Sequence, residues 1–427
     1  MVMTKGVANL LMAMAAAWLV PASEGAYPES VVHAFGGGTD GAIPGAALLE
    51  GSDGNFYGTT SVGGTGDCPG GCGTVFRIAN PTTSPALTTI HSFAGGADGE
   101  TPDSALIQAS DGSLYGTTFE GGANDQGTVF RIRSPATSPN EAVIYAFTGG
   151  ADGGRPYGSL IQAADGHLYG TTTAGGSAGY GTVFEVSDPA ASPAQTVIYS
   201  FAGGSDGATP YAALIQFPDG DLYGTTTAGG SANNGTVFKI SRLATSPVET
   251  VVYAFAGGSD GATPYAALTR AADGDLYGTT SAGGSGNNGT VFKISDLTAS
   301  PIEVVIHSFA GGTDGVFPFA GLIQGSNGDL YGTTAEGGAG SCVDGCGTVF
   351  RIRNPGTSPA EIIPYAFTGG SDGETPNATL IQTSDGNYYG TTSFGGASGL
   401  GTVFRMEVPA RGVVPVAPPA AATVAPR

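Results

Sequence analysis

The tetrapeptide Tyr-Gly-Thr-Thr recurs seven times, beginning at Tyr57, Tyr115, Tyr169, Tyr223, Tyr277, Tyr331 and Tyr389. Each copy is followed by Gly-Thr-Val-Phe, at Gly73, Gly127, Gly181, Gly235, Gly289, Gly347 and Gly401. The step is 54 residues, except for the first and last steps, which are 58. Each long step holds a Cys pair between its two motifs, so the four extra residues are a loop insertion and the flanking motifs keep their register. A unit repeated at about this length builds one continuous core by stacking on its neighbours, whatever the total length of the chain.

One repeat, read from Pro210, holds four strand-like runs. The expected strands are A at residues 213–216, B at 222–226, C at 236–240 and D at 250–255. Asp219-Gly220 makes a tight hairpin turn between A and B. A Gly-rich loop joins B to C, and a polar connection containing Pro247 joins C to D. No apolar pattern of period 3.6 runs for ten residues outside the N-terminal segment, so helices are not expected. Gly is 75 of 427 residues, which in another chain signals disorder or a fibre. Here the glycines recur at fixed places beside Tyr, Phe, Val, Leu and Ile, and read as turn residues.

Four short antiparallel strands per unit fit a propeller blade, and seven lies within the usual number of blades. Runs such as Val251-Val252-Tyr253-Ala254-Phe255 are apolar at adjacent positions, as expected of sheets buried on both faces. An open solenoid would need polar capping repeats, and the first and last copies match the middle ones. The expected fold is an all-β, seven-bladed β-propeller of four-stranded antiparallel blades. The last copy supplies A (378–382), B (388–392) and C (402–406) but no D. The missing strand is at the other end of the chain, residues 31–35, and it is expected to complete the seventh blade, burying Val31, Val32 and Phe35.

The chain divides into a signal peptide (1–22), the propeller (27–408) and a Pro/Ala-rich flexible tail (409–427). Lys5, the apolar stretch 7–20 and the small residues around Pro21 have the form of a secretory leader. The stretch is shorter than the roughly 20 residues of a spanning helix, so no transmembrane anchor is expected after cleavage. The net charge of -21 and the absence of a basic run argue against a nucleic-acid partner. A secreted or cell-surface monomer is expected.

The string GGSDGATPYAAL, shared by the fourth and fifth copies together with DGDLYGTT and GTVFKIS, resembles the GloVer tandem repeat of bacterial surface and secreted proteins. The resemblance covers nearly all of residues 30–407. It implies an extracellular bacterial protein and supplies no catalytic residues. Many members carry a C-terminal anchoring segment, whereas this chain ends in the Pro/Ala tail.

In an up-and-down blade the B–C and D–A connections share one face of the ring, and function is sought there. The D–A loops carry a ring of carboxylates: Asp40, Asp98, Asp152, Asp206, Asp260, Asp314 and Asp372. One reading is a turn in which Asp accepts backbone N–H groups; the other is a Ca2+ or similar hard-cation site. No other cofactor is expected. A second set, Asp53, Asp111, Asp165, Asp219, Asp273 and Asp385 with Asn327, sits in the A–B turns. Cys68 with Cys72, and Cys342 with Cys346, are read as loop disulfides, with a joint Zn site as the alternative. His33, His91 and His307 stand where other copies have Tyr145, Tyr199, Tyr253 and Tyr365, and read as packing residues with a polar tip. His167 lies in an A–B turn.

A single site must break the sevenfold repetition. The position of Gln108, Gln162, Gln216, Gln324 and Gln382 becomes Glu50 in the first copy and Arg270 in the fifth, which would give the channel charge if strand A lines it. Arg155, Glu120, Glu336, Asp125 and Tyr180 are further exceptions in the loop face. The expected function is an exported, non-catalytic binding or scaffold module whose loop face takes a glycan, peptide or partner protein. The alternatives are a lyase or hydrolase acting in the central channel, and a purely structural surface protein.

Overall fold

In the computed structural model, residues 26–243, 245–297 and 299–409 are described. They form seven four-stranded sheets. Six have the order A-B-C-D along the chain, and in the seventh the N-terminal strand Glu29–Ala34 lies beside Thr402–Met406. Val31 faces Phe404 and Ala34 faces Thr402 across that antiparallel pair. The chain is therefore a closed β-propeller whose ring is fastened by its earliest strand. The closing strand begins at Glu29, and Val31 is 38% exposed, so its side chain adds little to the core. Phe35 is fully buried against Phe76. Upstream, Tyr27 donates its N–H to the Pro364 carbonyl of blade 6, and its hydroxyl accepts from Arg351.

The B strands fall where the sequence places them, for example Leu222–Thr226. The A strands are shorter than expected. Only Ile215–Gln216 pairs in blade 4 and Ile381–Gln382 in blade 7. Seven A strands converge at the axis, and in two blades a residue before the pair bonds sideways to the next blade. Ala105 N–H donates to Ser159 Oγ and Gly321 N–H to Thr379 Oγ1. Strand D starts earlier than expected, at Val248 in blade 4, and carries a bulge opposite Val237/Phe238. In blade 6 the corresponding bulge region contains Pro364, a place where a ladder lacks a use for the missing N–H.

Each residue of the repeated tetrapeptide makes one contact that builds the ring. In five copies the Tyr hydroxyl donates to the A–B turn Asp, as Tyr57 to Asp53 at 2.7 Å, while Tyr331 accepts from Asn327 Nδ2. The Gly leaves room for the Phe of strand C: a Cβ on Gly116 would lie 2.6 Å from Phe130 and 2.9 Å from Leu106. The first Thr reaches the next blade, as Thr225 Oγ1 to Ala266 O. The second Thr bonds the Thr that starts strand C, as Thr226 to Thr236 at 2.8 Å. The core is correspondingly a set of clusters between blades. One joins Tyr115, Val129 and Phe147 of blade 2 to Leu160, Leu168 and Phe184 of blade 3.

Candidate functional site

The B–C and D–A loops do share a face, and backbone bonds fix them to each other. Ala208 and Ala228 pair as an isolated bridge, and Gly230 N–H donates to Gly204 O. Just before the Pro of each D–A loop stands a non-Gly residue in the left-handed region: Ile43, Thr101, Arg155, Thr209, Thr263, Phe317 and Thr375, at φ 56–58°. That conformation costs a β-branched residue on the order of 1 kcal/mol. It persists because both backbone groups are committed. Thr263 N–H donates to Asn234 O of the preceding blade, and Thr263 O accepts from Ser281 N–H of its own blade. The loop ring is thus a rigid platform.

The residues after those prolines are Gly45, Asp103, Tyr157, Tyr211, Tyr265, Phe319 and Asn377. Four consecutive blades place aromatic rings there. Tyr157–Tyr211, Tyr211–Tyr265 and Tyr265–Phe319 meet edge to face with centroids 5.1, 5.0 and 5.4 Å apart. Equivalent positions on adjacent blades approach this closely only near the axis, so the arc lines one side of the channel mouth. Phe119 extends it, with its centroid 5.9 Å from Tyr157, and the Arg155 guanidinium lies 5.5 Å above Phe119. Phe317 stacks beside Phe319. Tyr157 is 39% exposed. Among the described residues, the Tyr157, Tyr211 and Tyr265 hydroxyls have no hydrogen-bond partner, unlike most of the strand B tyrosines.

Polar side chains stand at both ends of the arc. Asp103 is bonded by Ser61 Oγ. Burial raises its carboxyl above the usual range, and Glu120 raises it further, against the Ser61 bond. Burial, then Asp103, Tyr211 and Tyr265, push the Tyr157 phenol upward. At the far end the Asn377 Oδ1 is buried and has no partner.

Of the residues singled out in the sequence, Arg155 belongs to this mouth, and Glu120 borders it. Tyr180 packs on Gly203 in a B–C loop, and its carbonyl accepts the Thr209 N–H. Glu336 pairs with Val316 as a bridge, and burial with nearby Asp344 raises its carboxyl. Asp125 accepts the Gly121 N–H.

Glu50 and Arg270 end their A strands at the A–B turns, on the opposite face from the loops, so they are no part of the loop-face site. Arg270 lies over Phe217 of the preceding blade at 4.9 Å. Two clefts of about 310 and 400 Å³ open on that face. The first is lined by Tyr115, Gln162 and His167, the second by Phe217, Arg270 and Asp275. His167 contacts Glu185 there.

The D–A carboxylates sit at the rim, against the outermost strand. Each of Asp40, Asp98, Asp152, Asp206, Asp260, Asp314 and Asp372 accepts the N–H of the residue four before it. Four of them also accept a Tyr hydroxyl, as Asp260 does from Tyr253 at 2.7 Å. Cys68–Cys72 and Cys342–Cys346 are disulfides with Cα separations of 5.1 and 5.2 Å. Cys72 O and Cys346 O still accept the N–H of Thr101 and Thr375, so the inserted loops keep the contact made by every other blade.

The arc was not found by reading the sequence, although its signal is there. In a repeat whose fixed residues build the blade, the column after Pro switches between large aromatic and small or polar side chains, with aromatics in four consecutive copies.

The fold defines a seven-bladed β-propeller with an asymmetric, aromatic channel mouth. The Gloeobacter/Verrucomicrobia repeat matches residues 20–202, 134–342 and 245–417, and the chain belongs to that family. No curated protein matches it in sequence. Among solved structures it is similar to a candidate 6-phosphogluconolactonase from Bacteroides uniformis, at 14% identity and TM-score 0.50, covering 75% of this chain and 85% of that one. A candidate oxidoreductase (glucose dehydrogenase) from Thermus thermophilus is 15% identical at TM-score 0.44, covering 89% and 100%. An AA12 carbohydrate-active enzyme from Trichoderma reesei is 12% identical at TM-score 0.45, covering 90% and 95%. At these identities the likeness concerns the fold alone.

Proposed function

We propose that the protein is an exported binding module that takes a saccharide at the channel mouth on the B–C/D–A face. The observation that carries this reading is the unbroken arc Tyr157–Tyr211–Tyr265–Phe319, flanked by Asp103 and Asn377. A sugar ring has apolar C–H faces that rest on aromatic rings and hydroxyls that need partners. Pockets that hold such ligands combine aromatic walls with a few fixed polar groups. Here three phenol hydroxyls and a carboxyl line the arc, and the Asn377 amide stands at its end with its oxygen buried. The two disulfides and the leader-like N-terminus support placement outside the cell; the leader (1–22) and the tail beyond 409 lie outside the described residues. Among those residues no helix is long and apolar enough to cross a membrane.

A glycan array with the full mature chain tests the reading. Tyr211→Ala and Tyr265→Ala should each lower retention of a bound glycan at least tenfold while the melting curve stays cooperative. Retention unchanged in both would rule out the mouth as the site.

A catalytic reading is favoured by one feature, the Asp103 carboxyl, raised by burial and by nearby Glu120, since glycosidic cleavage uses a pair of carboxyl groups of which one is raised. Mass spectrometry of array-positive glycans after incubation decides between the two. Cleavage lost in Asp103→Asn would replace the binding module with an enzyme.

A further inference from the structure

Two of the seven interfaces between blades differ from the rest at the rim. At each interface the Tyr or His of one strand D faces the D–A loop Asp, and a residue near the start of the next strand D approaches from the neighbouring blade. That residue is Leu87, Glu141, Gln195, Glu249, Glu303, Glu361 or Glu29. Only two interfaces combine an imidazole with two carboxylates: His91, Asp98 and Glu141, and His307, Asp314 and Glu361. In both, one donor atom from each residue lies within 4.8 Å of the other two.

A bland account holds that each His simply bonds its Asp as Tyr does elsewhere. The third His of the series speaks against that account. At His33 the neighbouring Glu is replaced by Leu87, and His33 Nε2 makes its hydrogen bonds to Asp40 at 3.1 and 3.2 Å. Where Glu is present the imidazole keeps an ion-pair contact with its Asp, but the contact falls outside hydrogen-bond geometry. His91 Nε2 is 3.3 Å from Asp98 and His307 Nε2 is 3.2 Å from Asp314, yet both nitrogens are buried without a hydrogen-bond partner. Oε1 of Glu141 and of Glu361 is buried and unpartnered in the same places. The orphaned Glu oxygen alone is not distinctive, because Glu29, Glu249 and Glu303 share it. What distinguishes these two interfaces is a buried imidazole nitrogen that touches its Asp without a hydrogen bond, beside an unpartnered Glu oxygen, with all three donor atoms within 4.8 Å.

We infer that each of these two triads binds a divalent first-row transition cation of the Zn2+ type, through His91, Asp98 and Glu141 and through His307, Asp314 and Glu361. One imidazole and two carboxylates suit Zn2+, which takes nitrogen and oxygen ligands in a four-coordinate shell and leaves one position for water. Ca2+ prefers six to eight oxygens and is poorly served by three ligands of which one is nitrogen. The inference therefore replaces a sevenfold hard-cation ring with two sites. Each ion would tie blade 1 to blade 2, or blade 5 to blade 6, at the rim, because its ligands come from two successive D strands and the loop between them.

The full mature chain, stripped with EDTA and kept oxidised so that its cysteines stay bridged, is dialysed against micromolar ZnCl2 and its metal counted by plasma emission. Two ions per chain are expected. His91→Tyr and His307→Tyr should each leave one, and the double variant none, while His33→Tyr keeps two. Tyr is the residue the fold itself uses at this position in four blades, so these variants should melt like the parent. Glu141→Gln with Glu361→Gln should likewise lose both ions with every His retained. A parent that binds no Zn2+, a double His variant that still binds two, or a His33→Tyr protein that loses an ion would each overturn the inference.

Discussion

At the scale of single residues, the Gln that ends most A strands works as a brace between blades. Gln324 Oε1 accepts the N–H of Ala272 in the preceding turn at 2.8 Å, and its Nε2 donates to Gly328 O of its own turn at 3.0 Å. Gln108, Gln162, Gln216 and Gln382 make the same pair of bonds. The donor position is occupied by Ser52, Ser110, Ala164, Pro218, Ala272, Ser326 and Ser384. Pro218 has no N–H, so a Gln facing it would lack the donor that fixes its carbonyl in the other blades. The residue facing it is Arg270, which lies on Phe217 instead. Arg270 is thereby explained as a compensated change in the brace. Arg270→Gln alone should destabilise by about 1 kcal/mol, and adding Pro218→Ser should recover that loss, giving a coupling of about 1 kcal/mol. Denaturant unfolding of the four proteins measures it, and a coupling near zero would refute the compensation.

At the scale of elements, the repeat and its closing strand were legible because they depend on local pattern. Tyr-Gly-Thr-Thr marks strand B in every blade, and the absence of a fourth strand after Met406 points to the N-terminus. The length of strand A was not legible, since it is set where seven strands converge on the axis and not by the local pattern. The first Thr of the motif was equally opaque: its target, such as Ala266 for Thr225, lies 41 residues away. Nor did sequence reveal that Val31 points outward while Phe35 carries the seam. Phe35→Ala should therefore cost about 3–5 kcal/mol, and Val31→Ala less than about 1 kcal/mol. Deleting residues 29–36 would expose the edge of Thr402–Met406 and promote association through it. Thermal melting with light scattering checks both, and a truncated chain that melts like the full one would exclude the seam as a source of stability.

At the scale of the whole molecule, the rim carboxyls make ring stability depend on pH. Burial, followed by the facing Asp206 or Asp260, raises Glu249 to about 7 and Glu303 to about 8. Burial with Asp372 raises Glu29 to about 7. A carboxyl raised on folding holds its proton in the folded chain and releases it on unfolding. Its contribution is full below pH 4.5 and is lost as the pH climbs through 7–8. Asp385 runs the other way: burial is outweighed by hydrogen bonds from Thr383, Asn387 and Tyr389, which hold it at about 2. Its contribution is present above pH 3.8 and lost as the pH falls towards 2. The melting temperature should thus peak near pH 4–5 and decline towards pH 8. General self-repulsion at net charge -21 has the same sign on the alkaline side, so the parent alone cannot assign the decline. Glu249→Gln with Glu303→Gln can, because Gln keeps a donor towards the facing Asp and already stands at this position as Gln195, whose Nε2 donates to Asp152 O. The double variant should match the parent at pH 5 and melt higher at pH 8. Equal melting temperatures at pH 8 would mean that the blade interfaces carry no titrating strain, and the decline would then belong to the surface charge.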